Sequence, residues 1–60
     1  MTILVINTSD ETMEVPIKLA DSTVTSVFIQ PRSRAKLPEG AQVVKQFVEL
    51  NARSVQTRNI

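Results

Sequence analysis

The segment Arg32-Ser33-Arg34-Ala35-Lys36 places three of the chain's seven basic residues within one short stretch. Residues two apart project to the same side of an extended backbone, so Arg32, Arg34 and Lys36 would form one basic row there. Such a row can bind phosphates or an acidic protein surface through charge-assisted hydrogen bonds. The alternative is a solvated loop, because most surface charge contributes little to stability.

Catalytic and metal-binding chemistry has few candidates in this chain. Its 60 residues include neither Cys nor His, which removes disulfides, thiolate and imidazole ligands, and most nucleophilic and acid–base catalysis. Asp10, Glu11 and Glu14 lie close together, but no glycine stands where a calcium-binding loop needs one. We interpret these carboxylates as a solvated turn. The composition therefore predicts a protein that is not an enzyme and has no cofactor or metal site.

The charges are unevenly distributed along the chain. Residues 1–30 carry a formal charge of −3, whereas residues 31–60 carry +4. This asymmetry suits a subunit that meets its own copies or a partner through complementary faces, although internal pairing or solvation would also explain it. Nucleic-acid binding normally brings exposed aromatic rings, and the chain has no Trp, no Tyr and two Phe. We therefore keep nucleic-acid binding only as the alternative function, in which a small β-barrel would bind phosphates through Arg32, Arg34 and Lys36.

The elements that would position these groups are mainly strands, because Val, Ile and Thr are abundant and only one Gly is present. The first predicted strand is Thr2–Asn7. Its consecutive apolar residues, Ile3 to Ile6, place hydrocarbon on both faces. In so thin a domain, another chain would cover one face. We therefore expect partner contact through Ile3 and Val5 or through Leu4 and Ile6, with the basic row as polar anchors. The apolar run is too short for a signal peptide or a membrane span.

The second predicted strand has the clearest alternation. Its apolar residues, which should share one buried face, are Met13, Val15, Ile17 and Leu19. Pro16 lies on the opposite face and has no N–H to donate to a neighbouring strand, so it predicts a sheet edge or a bulge. An edge there would either resist strand addition or accept a partner peptide as an added strand, which is a further alternative function.

The third predicted strand, Thr23–Gln30, alternates imperfectly. Val24 and Phe28 share one parity, whereas Val27 and Ile29 share the other. This pattern predicts either cover on both faces near Phe28 or a bulge near Ser26. The Phe residues, 28 and 47, are expected in the core.

The remaining elements are shorter. After a short extended piece at 34–37, Leu37-Pro38-Glu39-Gly40 has the Pro and Gly positions that a type I turn prefers. Apolar residues at helical spacing predict a short helix near 43–50, although the Val content there also favours a strand. A weakly buried strand, 53–60, ends the chain. We thus expect one mostly β domain spanning 1–60: a small antiparallel sheet, sandwich or partial barrel of about four or five short strands.

This order of pieces resembles small β-rich proteins of tailed bacteriophages, namely capsid decoration or cement proteins and minor tail components. The resemblance is carried by a first strand that ends in Asn7, a Val-rich strand that runs into Pro31, the Leu37-Pro38-Glu39-Gly40 turn, and an apolar segment that ends at Leu50-Asn51. It implies a structural, non-enzymatic part of the virion, made in the host cytoplasm and bound in many copies to a larger capsid or tail protein.

Physical reasoning agrees with the resemblance on one point. A chain of 60 residues without a disulfide or metal has a small core, and chains of this size are commonly stabilised by association. We therefore predict a structural assembly protein whose partners are its own copies and a larger protein. Nucleic acid and membrane are not expected partners.

Overall fold

The computed structural model describes residues 2–60 and contains six strands and one short helix in that range. The elements in chain order are β1 (Ile3–Asn7), β2 (Met13–Lys18), β3 (Val24–Ile29), β4 (Arg34–Lys36), β5 (Gln42–Val43), α1 (Lys45–Leu50) and β6 (Val55–Asn59). The predicted mostly β fold is therefore confirmed. The pattern did not anticipate β5, which is only two residues long.

The strands form two antiparallel three-stranded sheets that share one core. Sheet A has the order β4-β1-β6, and sheet B has the order β3-β2-β5. Both sheets contribute buried side chains, and the cluster consists of Val5, Val15, Ile17, Ile29, Leu37, Ala41 and Val55. Because the chain moves repeatedly between the sheets, both neighbours of β1 are distant from it in sequence, whereas β2 has the adjacent strand β3 on one side and the more distant β5 on the other.

The alternation predicted for β2 is confirmed, since Val15 and Ile17 are buried. The edge predicted from Pro16 is wrong, because β2 is the central strand of sheet B and its register shows no bulge. The Pro16 carbonyl accepts a hydrogen bond from the Val44 N–H at 3.0 Å, so the backbone polar groups of Pro16 face β5. The β2–β5 pairing ends at Ile17 and Val43. The missing N–H of Pro16 thus lies just beyond the β2–β5 pairing. Because β2 is not an edge strand, a partner strand cannot be added at Pro16.

The third strand also differs from both sequence alternatives. Its pairing with β2 is continuous from Val24 to Ile29, without a bulge. Phe28 is 71% exposed and Val24 is 63% exposed, so the face they share is uncovered. The expectation that Phe28 belongs to the core is therefore wrong. Ile29, of the opposite parity, is buried.

The turn after β4 occurs one residue later than the sequence predicts. The Ala41 N–H donates to the Pro38 carbonyl at 3.0 Å, so Pro38 and Ala41 are the first and fourth turn residues. Gly40 stands third with a φ of 81°. A type II turn requires a positive φ at the third residue but not at the second, and Glu39 has no positive φ, so a type II turn explains the single Gly of the chain better than the type I turn expected.

The helix predicted near 43–50 is confirmed in its C-terminal part. Gln42 and Val43 instead pair with β2. The helix α1 begins at Lys45, and its first hydrogen bonds run from the Phe47 and Val48 N–H groups to the Val44 carbonyl. Asn51 ends the helix, because both its backbone N–H and its Nδ2 donate to the Phe47 carbonyl. Phe47 is partly buried against the core, as expected.

Candidate interaction surface

A buried asparagine, Asn7, connects the β1–β2 turn to the β3–β4 turn, which contains Arg32. The Asn7 side chain is fully buried. Its Nδ2 donates to the carbonyl oxygens of Glu11, Ile29 and Gln30 at 2.8, 3.0 and 3.1 Å, and its Oδ1 accepts from the backbone N–H and hydroxyl of Ser9. The β1–β2 turn and the β3–β4 turn are therefore fixed to each other. Sequence reasoning gave this residue no such role.

The structure separates Arg32 from the rest of the predicted basic row. Arg32 lies in the β3–β4 turn with a φ of 55°, so it does not share the extended geometry of β4. Its guanidinium bonds the Asp10 carboxylate at 2.7 Å, and its backbone N–H donates to the Ser9 carbonyl. Both side chains of the ion pair are largely exposed. Arg32 thus connects two turns, and its charge is already partnered.

Arg34 and Lys36 lie together on β4, as the alternate spacing predicts. The register places Arg34 beside Ile6 and Lys36 beside Leu4 on the central strand β1. Val5 is fully buried, so residues of the opposite parity on β1 face outward. Of the two parities considered for partner contact, Leu4 and Ile6 are therefore the outward pair, and both are half-buried.

A third cation joins this face from the far end of the chain. On the other side of β1, Arg58 of β6 lies beside Leu4, and Gln56 lies beside Ile6. Lys36 and Arg58 therefore flank Leu4 at about 10 Å from each other, which is two strand spacings. We call this surface the basic face, and its strand residues are Leu4, Ile6, Arg34, Lys36, Gln56 and Arg58. A weakly buried last strand was the only sequence signal that pointed to Arg58.

The basic face combines positive charge with a central aliphatic strip. Within residues 2–60, no ion pair or side-chain hydrogen bond engages its three cations, and all three are exposed. None of its strand residues is acidic. Glu39 lies at its margin, where a carboxylate oxygen accepts a hydrogen bond from the Thr2 hydroxyl at 2.8 Å. Leu4 and Ile6 offer apolar area, and the cations offer charge-assisted hydrogen bonds to an acidic surface.

The remaining predicted contact residue, Ile3, faces the opposite side of sheet A. It packs against the core and lines an open cleft of about 290 Å³ together with Val43 and Val48. Gln42, Thr57 and Asn59 supply the polar part of the lining. Amide and hydroxyl groups can orient a ligand but cannot exchange protons near neutral pH, so this cleft offers binding geometry without acid–base chemistry.

Neither a metal-binding cluster nor a membrane-spanning helix is found in the part of the chain that is described. Residues 2–60 contain no group of three or more His, Cys, Asp or Glu side chains that could hold a metal ion. No helix in this range has both the length and the apolar character needed to cross a membrane. The acidic side chains near the first turn do not converge, and Asp10 is engaged with Arg32.

Comparisons with known protein families, with curated proteins and with solved structures find no match to this chain. The likeness to bacteriophage virion proteins stays a prediction that rests on the order of strands and turns. The case for a function therefore depends on the surface chemistry of the chain, and the basic face is its most distinctive surface.

Proposed function

We propose that this chain is a non-enzymatic assembly subunit that binds an acidic surface of a larger protein through the basic face. The observation that carries the proposal is the arrangement of Arg34, Lys36 and Arg58 around Leu4 and Ile6. Leu4 and Ile6 are half-buried, and covering the part that remains exposed gives a favourable free energy of binding. Unpartnered cations around them favour a partner with complementary charge and set its orientation.

The larger protein of this proposal is a capsid or tail protein of a tailed bacteriophage, and the chain would then reside in the virion. Its support is the resemblance in the order of strands and turns, together with the size argument. A 60-residue chain without disulfides is stabilised by any partner that binds only its folded state.

A carbodiimide cross-linker tests the proposal directly, because it joins a lysine amine to a carboxylate that touches it. Applied to native particles that contain the chain, it should link Lys36 to an Asp or Glu of the larger protein. Lys45 belongs to α1, whose Val48 lines the cleft on the opposite face of sheet A, so Lys45 should give no such link. Links from Lys45 but none from Lys36, identified by mass spectrometry, would contradict the proposal.

Charge reversal provides the matched comparison. Lys36→Glu should release the subunit from the sedimenting particle, whereas Lys45→Glu, which changes the net charge equally, should leave it bound. Retention should also weaken as the salt concentration rises, because exposed charges are screened. Equal retention of both variants would show that the basic face is not the contact.

Nucleic acid is the second candidate partner, because three cations project from one face of a sheet. Against it, neither Phe lies on that face: Phe28 belongs to sheet B and Phe47 to α1, so bases would find no stacking platform. Nuclease treatment distinguishes the two. Release of the subunit from the particle by nuclease, together with steeply salt-dependent binding to random double-stranded DNA, would favour this second function.

A further inference from the structure

The exposed edge of sheet B differs from every other sheet edge in the described chain. β3 forms this edge and is six residues long. The segment 23–30 contains no charged residue, no Pro and no Gly. By contrast, β4 has three residues and two cations, β5 has two residues, and β6 carries Arg58. Long, uncharged edge strands are templates for pairing with another chain, and proteins usually protect them with charge or proline.

The backbone groups available on this edge follow from Pro16. Pro16 lies opposite Ser26 but cannot exchange two hydrogen bonds with it, and its carbonyl instead accepts from Val44. The backbone N–H and C=O of Ser26 therefore face away from β2, toward solvent. Antiparallel pairing alternates, so the same is true of Val24 and Phe28, two residues to either side. These three residues present free donors and acceptors along the edge.

The side chains of the same three residues are arranged symmetrically. Val24 and Phe28 are 63% and 71% exposed, and Ser26 between them is small and exposed. If a second copy pairs antiparallel with Ser26 opposite Ser26, each Val24 lies opposite Phe28 of the other copy. Aromatic and β-branched residues are a favourable cross-strand pair, and no like charges are brought together.

We propose that β3 pairs antiparallel with β3 of a second copy about a two-fold axis at Ser26. The two copies of sheet B would then form one continuous sheet, with roughly six backbone hydrogen bonds across the junction. The pairing covers the exposed Phe28 and Val24 side chains on one face of that sheet. A charged peptide fits this edge less well than a second copy, because the edge offers no countercharge. This association goes beyond the proposed function and uses a different surface from the basic face.

The test is the mass of the purified full-length chain, measured by sedimentation equilibrium from micromolar to millimolar concentration. The wild type should approach twice the monomer mass of 6.7 kDa. Ser26→Lys and Ser26→Glu should each be monomeric where the wild type is dimeric, because like charges would meet at the axis. Mixing the two variants should restore a dimer, since opposite charges then meet. Gln56→Lys, which adds the same charge to the basic face, should leave the dimer intact.

A second measurement requires no substitution. Amide hydrogen exchange at Val24, Ser26 and Phe28 should slow as the protein concentration rises, whereas exchange along β6 should not change. A wild type that stays monomeric, a dimer that persists in both Ser26 variants, or disruption by Gln56→Lys would each overturn the proposal. Binding of an acidic partner through Arg34, Lys36 and Arg58 is measured separately, so failure of one proposal does not imply failure of the other.

Discussion

At the scale of single residues, Asn7 has the strictest hydrogen-bonding requirement. It is the only polar side chain among the buried residues described, and both ends of its amide are hydrogen-bonded. Its three acceptors are backbone carbonyls from two different turns, which few other side chains could satisfy together. In a domain with so small a core, the network determines how the turn that follows β1 is joined to the turn that follows β3.

Replacing Asn7 with Ala should lower the free energy of unfolding by about 2–3 kcal/mol, because the Ile29 carbonyl loses its donor in a buried site and the Gln30 carbonyl loses its donor in a partly buried one. Asn59→Ala is the control, since Asn59 is exposed and should change stability by less than about 0.5 kcal/mol. Urea unfolding followed by far-UV circular dichroism measures both, because the chain has no Trp or Tyr fluorescence. Equal stabilities for the two variants would contradict the role assigned to Asn7.

Asp21 provides a pH-dependent residue in the β2–β3 turn. The backbone N–H of Thr23 donates to its carboxylate at 3.0 Å, and this bond, aided by the Thr23 hydroxyl, holds the pKa of Asp21 below its ordinary value of 3.8. A lowered pKa in the folded state means that the carboxylate form stabilises the fold. That contribution is present above the unfolded-state pKa and is lost as the pH falls through the folded-state pKa.

The Asp21→Asn variant keeps an oxygen acceptor for Thr23 but cannot titrate. The thermal midpoint of the wild type relative to this variant should be constant above about pH 5 and should decline as the pH falls below about 4. Thermal scans by circular dichroism at a series of pH values provide the comparison. A difference between the two midpoints that is independent of pH would show that the Thr23 bond does not favour the carboxylate.

At the scale of elements, the turn that follows β4 brings β5 against the β2–β3 hairpin. Gly40 has a φ of 81°, and a Cβ added there would lie 2.9 Å from the Cβ of Ala20. Two separate constraints therefore act at one position. One is the left-handed backbone, and the other is the close approach of two turns.

Gly40→Ala should destabilise the fold by about 2 kcal/mol, through the left-handed backbone and the close contact together. Ala20→Gly in the same chain removes the contact but not the backbone strain. The double variant should therefore be more stable than the sum of the two single effects predicts, as measured by urea unfolding in a double-mutant cycle. Strict additivity would show that the two turns do not touch.

Pro16 shows how an element is interpreted differently once its neighbours are known. Proline predicted an edge because a central strand normally needs every N–H. In the structure, the Val44 carbonyl opposite Pro16 instead accepts the first hydrogen bonds of α1. Val44 therefore bonds β2 through its N–H and α1 through its carbonyl. Although Pro16 has no N–H, the Val44 carbonyl opposite it still has donors.

At the scale of the whole molecule, stability depends on the buried apolar core, which comprises seven residues within the range 2–60. A domain of this length has a free energy of unfolding of roughly 3–9 kcal/mol. The loss of one large core side chain is therefore comparable to the total. Association, through the basic face or through β3, would add stability that the isolated chain lacks.

Ile17 is 1% exposed and lies at the centre of sheet B, paired with Thr25 on one side and Val43 on the other. Ile17→Ala should lower the free energy of unfolding by about 2–5 kcal/mol, whereas Ile17→Val should lower it by only about 1 kcal/mol. Ile60→Ala, at a site that is 56% exposed, is the surface control. Circular dichroism in urea should rank the three variants in that order, and an Ile17→Ala variant with the urea midpoint of the wild type would contradict the assigned core.

Several features could be predicted from the sequence because they depend on local spacing. The alternation of Met13 to Leu19 identifies a half-buried strand wherever that strand lies in the sheet. The end of α1 at Leu50 depends on nearby residues. The alternate spacing of Arg34 and Lys36 likewise predicts that they share a face. In each case the geometry of an extended or helical backbone is sufficient.

Only the tertiary structure decided which faces are covered and which strands are neighbours. The position of Arg58 beside Leu4, the exposure of Phe28 and the burial of Asn7 all follow from pairings between segments distant in sequence. A local pattern reports that a strand has two unlike faces, but not which other segment covers each face. That choice depends on how the whole chain closes to bury its apolar side chains while every buried polar group finds a partner.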